Sequence, residues 1–335
     1  MNTTQLIVSR GALVLALLAA VTAPQFLSNF QTFQMTQVLV YAIAILGLNL
    51  LIGYSGQISL GHGAFYAIGA YAVAIMSHHY GVPYWIGIPV AGLITFVVGC
   101  LFGFPALRLE GHYLALATFA LALAVPQLLK HPALVPWTGG VSGVFIPKPR
   151  APEGVPLNPD QWLYFFTLAW VLVLFFLAHN LLNGRIGNAI RAIRDNATAA
   201  EAMGINTARV KSLTFGVSAL YTGIAGGLSA TIIQFVAPDS FTMFLSVFLF
   251  VGVVVGGVAS IPGAIIGGAF IVFVPNLAAD ISNAATNGIF GLFLIAMMFF
   301  MPNGVWGAVR GFFDRLGGKA APSDNATSSE TKTQG

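Results

Sequence analysis

The chain reads as an all-α polytopic membrane protein of about ten transmembrane helices, and three observations carry that reading. Hydrophobic residues make up 57% of its 335 residues. Charged residues make up only 7%, where an ordinary soluble domain carries about 25%. The charges are also gathered into a few places, leaving long segments with none: Gly11–Leu107, Gly111–Leu129, Gln161–Gly184, Ser212–Pro238, Ser240–Ala279 and Ile281–Val309. A charge at the bilayer centre costs about 2.5–3.5 kcal/mol on insertion scales, so these gaps are where lipid sits. A chain of this composition cannot cover a folded surface with water-compatible side chains, which excludes a soluble enzyme.

Taken in order, the apolar runs are cut by glycine, proline and polar clusters into spans near residues 10–27, 34–53, 62–79, 84–105, 112–129, 161–182, 212–235, 242–258, 263–280 and 284–302. Each has the about 17–25 residues that a membrane helix needs. The first follows Arg10 and resembles a signal peptide, but further spans follow it and Pro24 sits badly after a cleavage site, so it reads as a helix that stays. Two joins carry no charge, at 53–63 and 256–263 (Gly256-Gly257, Ser260, Pro262-Gly263), and each reads either as a plain break or as a re-entrant loop. Both place a serine before a Gly-Ala pair that opens a helix, Ser59 through Ala64 and Ser260 through Ala264. Interrupted segments in corresponding halves point to a transport site, although small residues recur in membrane proteins for packing alone.

The short loops set the orientation. Arg185–Lys211 holds Arg185, Arg191, Arg194, Arg209 and Lys211 against Asp195 and Glu201, and the C-terminal flank holds Arg310, Arg315 and Lys319 against Asp314. Positive residues collect on the cytoplasmic side, so both termini, Arg10 and Arg108 are expected there. The Pro/Gly-rich loop 130–160 then falls outside with Lys130, Lys148 and Arg150 against Glu153 and Asp160, a mild strain on the rule. Residues 1–310 are read as the membrane body and 311–335 as a disordered cytoplasmic tail, its end 320–335 lacking apolar residues beyond alanine and one proline. The net charge of +4 does not indicate a nucleic-acid partner, because the basic residues flank apolar spans.

Two stretches carry chemistry. In Gly47–Phe65, Asn49, Gln57, Ser59 and His62 gather among glycines that include Gly61 and Gly63. Irregular backbone at membrane depth survives only inside protein or along a water-lined cavity. These side chains offer neutral hydrogen bonds to a polar or zwitterionic solute along a translocation path, or else serve close helix packing. The second is Arg185–Lys211, far longer than the about 2–8 residues of ordinary helix–helix connections. Asn188 is expected to cap a short helix, Arg191 and Asp195 to pair four residues apart, Thr198-Ala199-Ala200-Glu201 to form a capping box, and Gly204 to end a second helix. Two short, alanine-rich helices of this kind suit docking into a groove of another protein; the plain alternative is a solvated loop.

Absences narrow the energy source. No acid lies mid-span, where ion-coupled carriers often keep one. Gly318-Lys319 lacks the first glycine of a phosphate-binding loop, since Phe313 stands there. Uphill movement would therefore draw energy from another subunit. His78, His79, His112, His131 and His179 read as interfacial, and the single Cys100 excludes an intrachain disulfide and a multi-cysteine metal site.

The Leu-Asn-Leu-Leu-Ile-Gly-Tyr-Ser-Gly-Gln-Ile-Ser-Leu-Gly-His-Gly-Ala-Phe run within residues 47–70 resembles the signature of LivM-type permeases, membrane subunits of ABC importers for branched-chain amino acids. Arg191–Phe215 is similar to that family's cytoplasmic coupling segment, and Gly223–Gly227 to the small-residue helix after it. The resemblance covers about residues 36–305. It implies a bacterial inner-membrane permease that pairs with a second, homologous permease. Two cytoplasmic ATPase subunits would bind ATP and magnesium, with none held in this chain, and a periplasmic binding protein would deliver solute. It also implies that Arg191, Arg194, Asp195, Thr198, Glu201 and Gly204 couple to an ATPase. Similar permeases serve urea, short amides and aromatic acids, so the solute stays open. An ion-coupled carrier or a passive channel is the rival of another class.

Overall fold

The computed structural model describes residues 18–106, 111–152, 156–281, 286–301 and 304–316. Arg10, Arg108, Glu153 and the tail 317–335 lie outside the described residues. The helices are α1 (described over 18–26), α2 (Asn29–Asn49), α3 (His62–Tyr80), α4 (Tyr84–Ala106), α5 (His112–Leu129), α6 (Val135–Thr138), α7 (Pro159–Asn183), α8 (Arg185–Asp195), α9 (Ala197–Ala202), α10 (Thr207–Ile233), α11 (Met243–Gly256), α12 (Gly263–Ile281), α13 (Thr286–Phe300) and α14 (Gly304–Leu316). A five-residue π-helix, Leu50–Tyr54, prolongs α2. The last helix crosses the boundary expected at 310/311.

Seven described segments are long and apolar enough to cross a membrane: Asn29–Tyr54, Tyr84–Phe104, His112–Leu129, Pro159–Asn183, Thr207–Ile233, Pro238–Gly256 and Gly263–Asp280. The helices α3 and α13 occupy two further expected spans and fall short, α3 through its polar residues His62, Ser77, His78 and His79, and α13 with 15 described residues. The chain is thus a polytopic helical membrane protein. Both α2 and α10 start five residues before the expected 34 and 212. Ser28 caps α2 through a reciprocal pair with Gln31.

The centre of the bundle is α2 and α10, with 72% and 78% of their spans buried, against 28–44% for the other five. Side-chain size explains why α10 takes that place. Glycines let neighbouring backbones touch: a Cβ on Gly226 would meet Tyr66 O, and one on Gly69 would meet Gly223 O. On its other side, α10 receives α4, where a Cβ on Gly99 would meet Ala219. Without a hydrophobic driving force between helices in lipid, such close packing is what holds them together. Buried threonines within the spans cost little where the hydroxyl bonds a carbonyl of its own helix, as Thr36 does to Thr32 O (2.7 Å) and Thr222 to Ser218 O (3.0 Å).

Contacts sort the connections to two ends of the bundle. At one end Tyr164 Oη donates to Ala20 O (2.8 Å), Gln161 Nε2 to Pro24 O (3.0 Å) and Trp162 Nε1 to Tyr84 Oη (2.8 Å). There the long loop also pairs a two-residue strand, β1 (Val144–Phe145), with β2 (Phe235–Val236), an antiparallel contact the sequence did not announce. The other end gathers the 55–61 segment, α8–α9, the turn between α11 and α12, and the start of α14. This is the alternation expected from the order of the spans. The loop's lysines are neutralised within the structure: Lys130 pairs with Asp239, and Lys148 with Asp160 at 2.7 Å. That pairing offsets the charge of the two lysines and so eases the strain that the loop places on the expected orientation.

Candidate functional site

The two chemical stretches of the sequence meet at one end of the molecule. The π-helix Leu50–Tyr54 ends in irregular backbone over 55–61, with Gly56 at φ +70°, before α3 starts at His62. Such π-turns insert one residue per turn and mark functional sites in many helices. The carbonyl of Gly53 accepts from Arg194 Nη1 at 3.0 Å, and the Arg194 stem lies over Gly56. A side chain of the loop segment therefore holds the break in the central helix directly.

Most polar groups of the first stretch are buried and engaged inside the chain. Asn49 is fully buried; its amide nitrogen donates to Ser260 O (2.8 Å) and Gly257 O (3.4 Å), and its oxygen accepts from Ala259 N (2.8 Å). His62 is also fully buried, between Ser59 and Ser218. Ser218 Oγ donates to Gly47 O (2.6 Å), since a carbonyl only accepts. That hydroxyl oxygen then accepts from His62 Nε2 (2.6 Å), which leaves Nδ1 to accept from Ser59 Oγ (3.0 Å). The network fixes one neutral tautomer and joins α2, α3 and α10. Gly61 lies against Thr118 of α5, and Gly63 N donates to Ser246 Oγ of α11 (2.9 Å). Gln57 differs: it is only half-buried, donates to Ser55 Oγ (2.7 Å), and sits between exposed Gly56 and Ile58.

The second stretch folds as two short helices, with three local departures from expectation. Gly184, not Asn188, precedes α8; the helix starts as soon as α7 is interrupted, which leaves Asn188 within it. Arg191 does not pair with Asp195. It donates to Leu182 O and Asn188 Oδ1, both at 2.8 Å, because the side chain turns back toward the end of α7. Asp195 instead pairs with its neighbour Arg194 at 3.1 Å. The cap of α9 is Asn196, whose oxygen accepts from Ala199 N (3.0 Å), so the helix opens before Thr198 and no Thr198–Glu201 box forms. Glu201 accepts from Thr207 at the start of α10. Gly204 ends α9 as expected, at φ +83°, with Gly204 N bonded to Glu201 O and Ile205 N to Ala200 O. Thr198, Ala199, Ala202 and Met203 are exposed, Met203 by 83%.

The partners that sequence reading missed are Ser218, Ser246, Thr118 and the 257–260 backbone. Their only signal was a hydroxyl or a glycine inside an apolar span, which many structural positions share.

A bundle with interrupted helices inside and a small folded knob on one end is a polytopic membrane protein, and its sequence relatives make it a transport permease. The chain belongs to the family described as the permease component of branched-chain amino acid transport systems, which it matches over residues 32–302. It is 35% identical over 316 residues to the high-affinity branched-chain amino acid transport system permease protein LivM of Escherichia coli, covering 88% of this chain and 74% of that protein. It is 34% identical, with the same coverage, to LivM of Salmonella typhimurium. To LivH of Escherichia coli it is 27% identical over 285 residues, 80% of this chain and 91% of that one. No solved structure matches.

Proposed function

We propose that this chain is a membrane-spanning subunit of an ATP-driven importer for branched-chain or other hydrophobic amino acids. It would pair with a second, homologous permease, receive solute from a periplasmic binding protein, and dock two cytoplasmic ATPases, one of them on α8–α9. The observation that carries the reading is the hydrogen bond from Arg194 to Gly53 O, which ties an exposed helical knob to the break in a central helix. Within that knob, Arg191 anchors α8 to α7, Asp195 orients Arg194, and Glu201 fixes α9 to α10. Thr198, Met203 and Gly204 offer the surface to the ATPase. The end bearing the knob is cytoplasmic, as are both termini. Of the first stretch, Gln57 is the side chain best disposed to meet solute, while Asn49, Ser59, Gly61, His62 and Gly63 shape the path through packing.

The test is ATP-dependent uptake of leucine by the reconstituted complex, with urea, a short amide and an aromatic acid as competitors. Glu201→Lys should leave the chain inserted and cut uptake about ten-fold or more, because reversal breaks the α9–α10 tie beneath the docking surface. Normal uptake by that variant would argue against the docking role. Uptake that survives without ATP would return the chain to the carrier or channel class.

A further inference from the structure

The two breaks in the membrane body touch each other, and one side chain makes the contact. Asn49 is the last α-helical residue before the π-turn, and every hydrogen-bonding group of its side chain goes to the turn between α11 and α12: to Gly257 O, Ala259 N and Ser260 O. The backbones meet beside it, since a Cβ on Gly53 would strike Ala259 N and the Asn49 oxygen. The turn is itself under strain. Ala259 holds φ +59°, a left-handed conformation disfavoured for a residue with a Cβ. Its N–H is the group that Asn49 accepts. On the far side, Gly257 packs against Gly304 at the start of α14. A direct line of contacts therefore runs from Arg194 to Gly53, to Asn49, to the 257–260 turn and to α14.

We propose that Asn49 is a positioning residue that joins the two breaks into one moving unit, so that the 257–260 turn and α14 follow the 50–61 segment when the α8–α9 knob is displaced. The proposal rests on the reading of that knob as an ATPase-docking surface. Strained backbone held from outside is the kind of element that has a second arrangement available, and coupling between sites needs such an element rather than proximity alone. Here the strain and its only side-chain support from another helix among the described residues sit at the junction between the breaks.

The experiment uses the full complex in proteoliposomes and reads leucine taken up per ATP hydrolysed. Asn49→Ala should lower that ratio about ten-fold, within the range of coupling between two sites. Ala259→Gly relieves the strain of the turn and should not restore the ratio in the Asn49→Ala background. Restoration would mean that Asn49 only supports the turn, and an unchanged ratio in Asn49→Ala would mean that it transmits nothing; either overturns the proposal. If Asn49→Ala fails to assemble, hydrogen exchange of the unaltered chain and of Arg194→Ala decides. ATP-induced changes at 53–61 and 257–262 should appear together in the former and vanish together in the latter. Independent responses of the two segments would overturn the link. Loss of ATP dependence in the unaltered complex would instead strike the docking reading on which it rests.

Discussion

His62 and Tyr71 show how differently two buried polar side chains of one helix behave. Both nitrogens of His62 have hydroxyl partners, and one of these, Ser218, donates in turn to Gly47 O. Ser218→Ala would leave the imidazole N–H without its partner in a buried interior and take from Gly47 O its bond to the hydroxyl. The expected loss is about 1–3 kcal/mol, seen as earlier thermal unfolding in detergent. The hydroxyl of Tyr71 is buried with no hydrogen-bond partner among the described residues. Tyr71→Phe should therefore change stability by less than about 0.5 kcal/mol or raise it. Comparable losses in the two variants would show that the Tyr71 hydroxyl has a partner that the described residues do not supply.

Among the elements, α10 explains why small residues cluster where they do. Gly226 faces the backbone of α3 and Gly223 the Thr95 side chain of α4, each so closely that an added Cβ would strike it. Gly226→Val should cost about 3 kcal/mol or more, at or beyond the usual overpacking range, because the obstacle is the Tyr66 carbonyl rather than a side chain that can swing away. Gly311 has nothing near a built Cβ, so Gly311→Ala provides the tolerant control, and folding yield in membranes separates the two. The boundaries of these elements were mostly legible: His112–Leu129 matches its expected span, and α3, α4, α7, α11 and α12 lie within two residues of theirs. The caps were less so. Asn188 and Thr198 have the right chemistry for caps, but the interruption at Gly184 and the nearer Asn196 supply the ends instead.

For the whole molecule, the two sets of connections predict opposite accessibility. With Cys100 replaced by Ala, a cysteine at Met203 should react with an impermeant thiol reagent only from the cytoplasmic side. One at Val141, 70% exposed in the long loop, should react only from the outside. Labelling of both from the same side would break the alternation that the contacts describe. The paired lysines matter here as well. Lys130 and Lys148 meet Asp239 and Asp160, so both lysines are offset by carboxylates, and the labelling tests the expectation that the basic α8–α9 knob faces the cytoplasm.

By itself the sequence determined the solvent of this protein and the order of its spans, and it singled out the two stretches proposed to carry its chemistry. Those follow from local quantities: hydropathy over a span, the absence of charge, and glycine, proline and cap residues at the ends. Only the tertiary structure decided what the polar groups do. Asn49 and Ser260, or His62 and Ser218, lie far apart in the chain, and each alone is as consistent with a solute path as with packing. Contact between them requires α2, α3, α10 and the α11–α12 turn to be folded together. In a low-dielectric interior a buried polar group must find a partner, and only the fold reveals that Asn49, Ser59 and His62 find theirs within the chain.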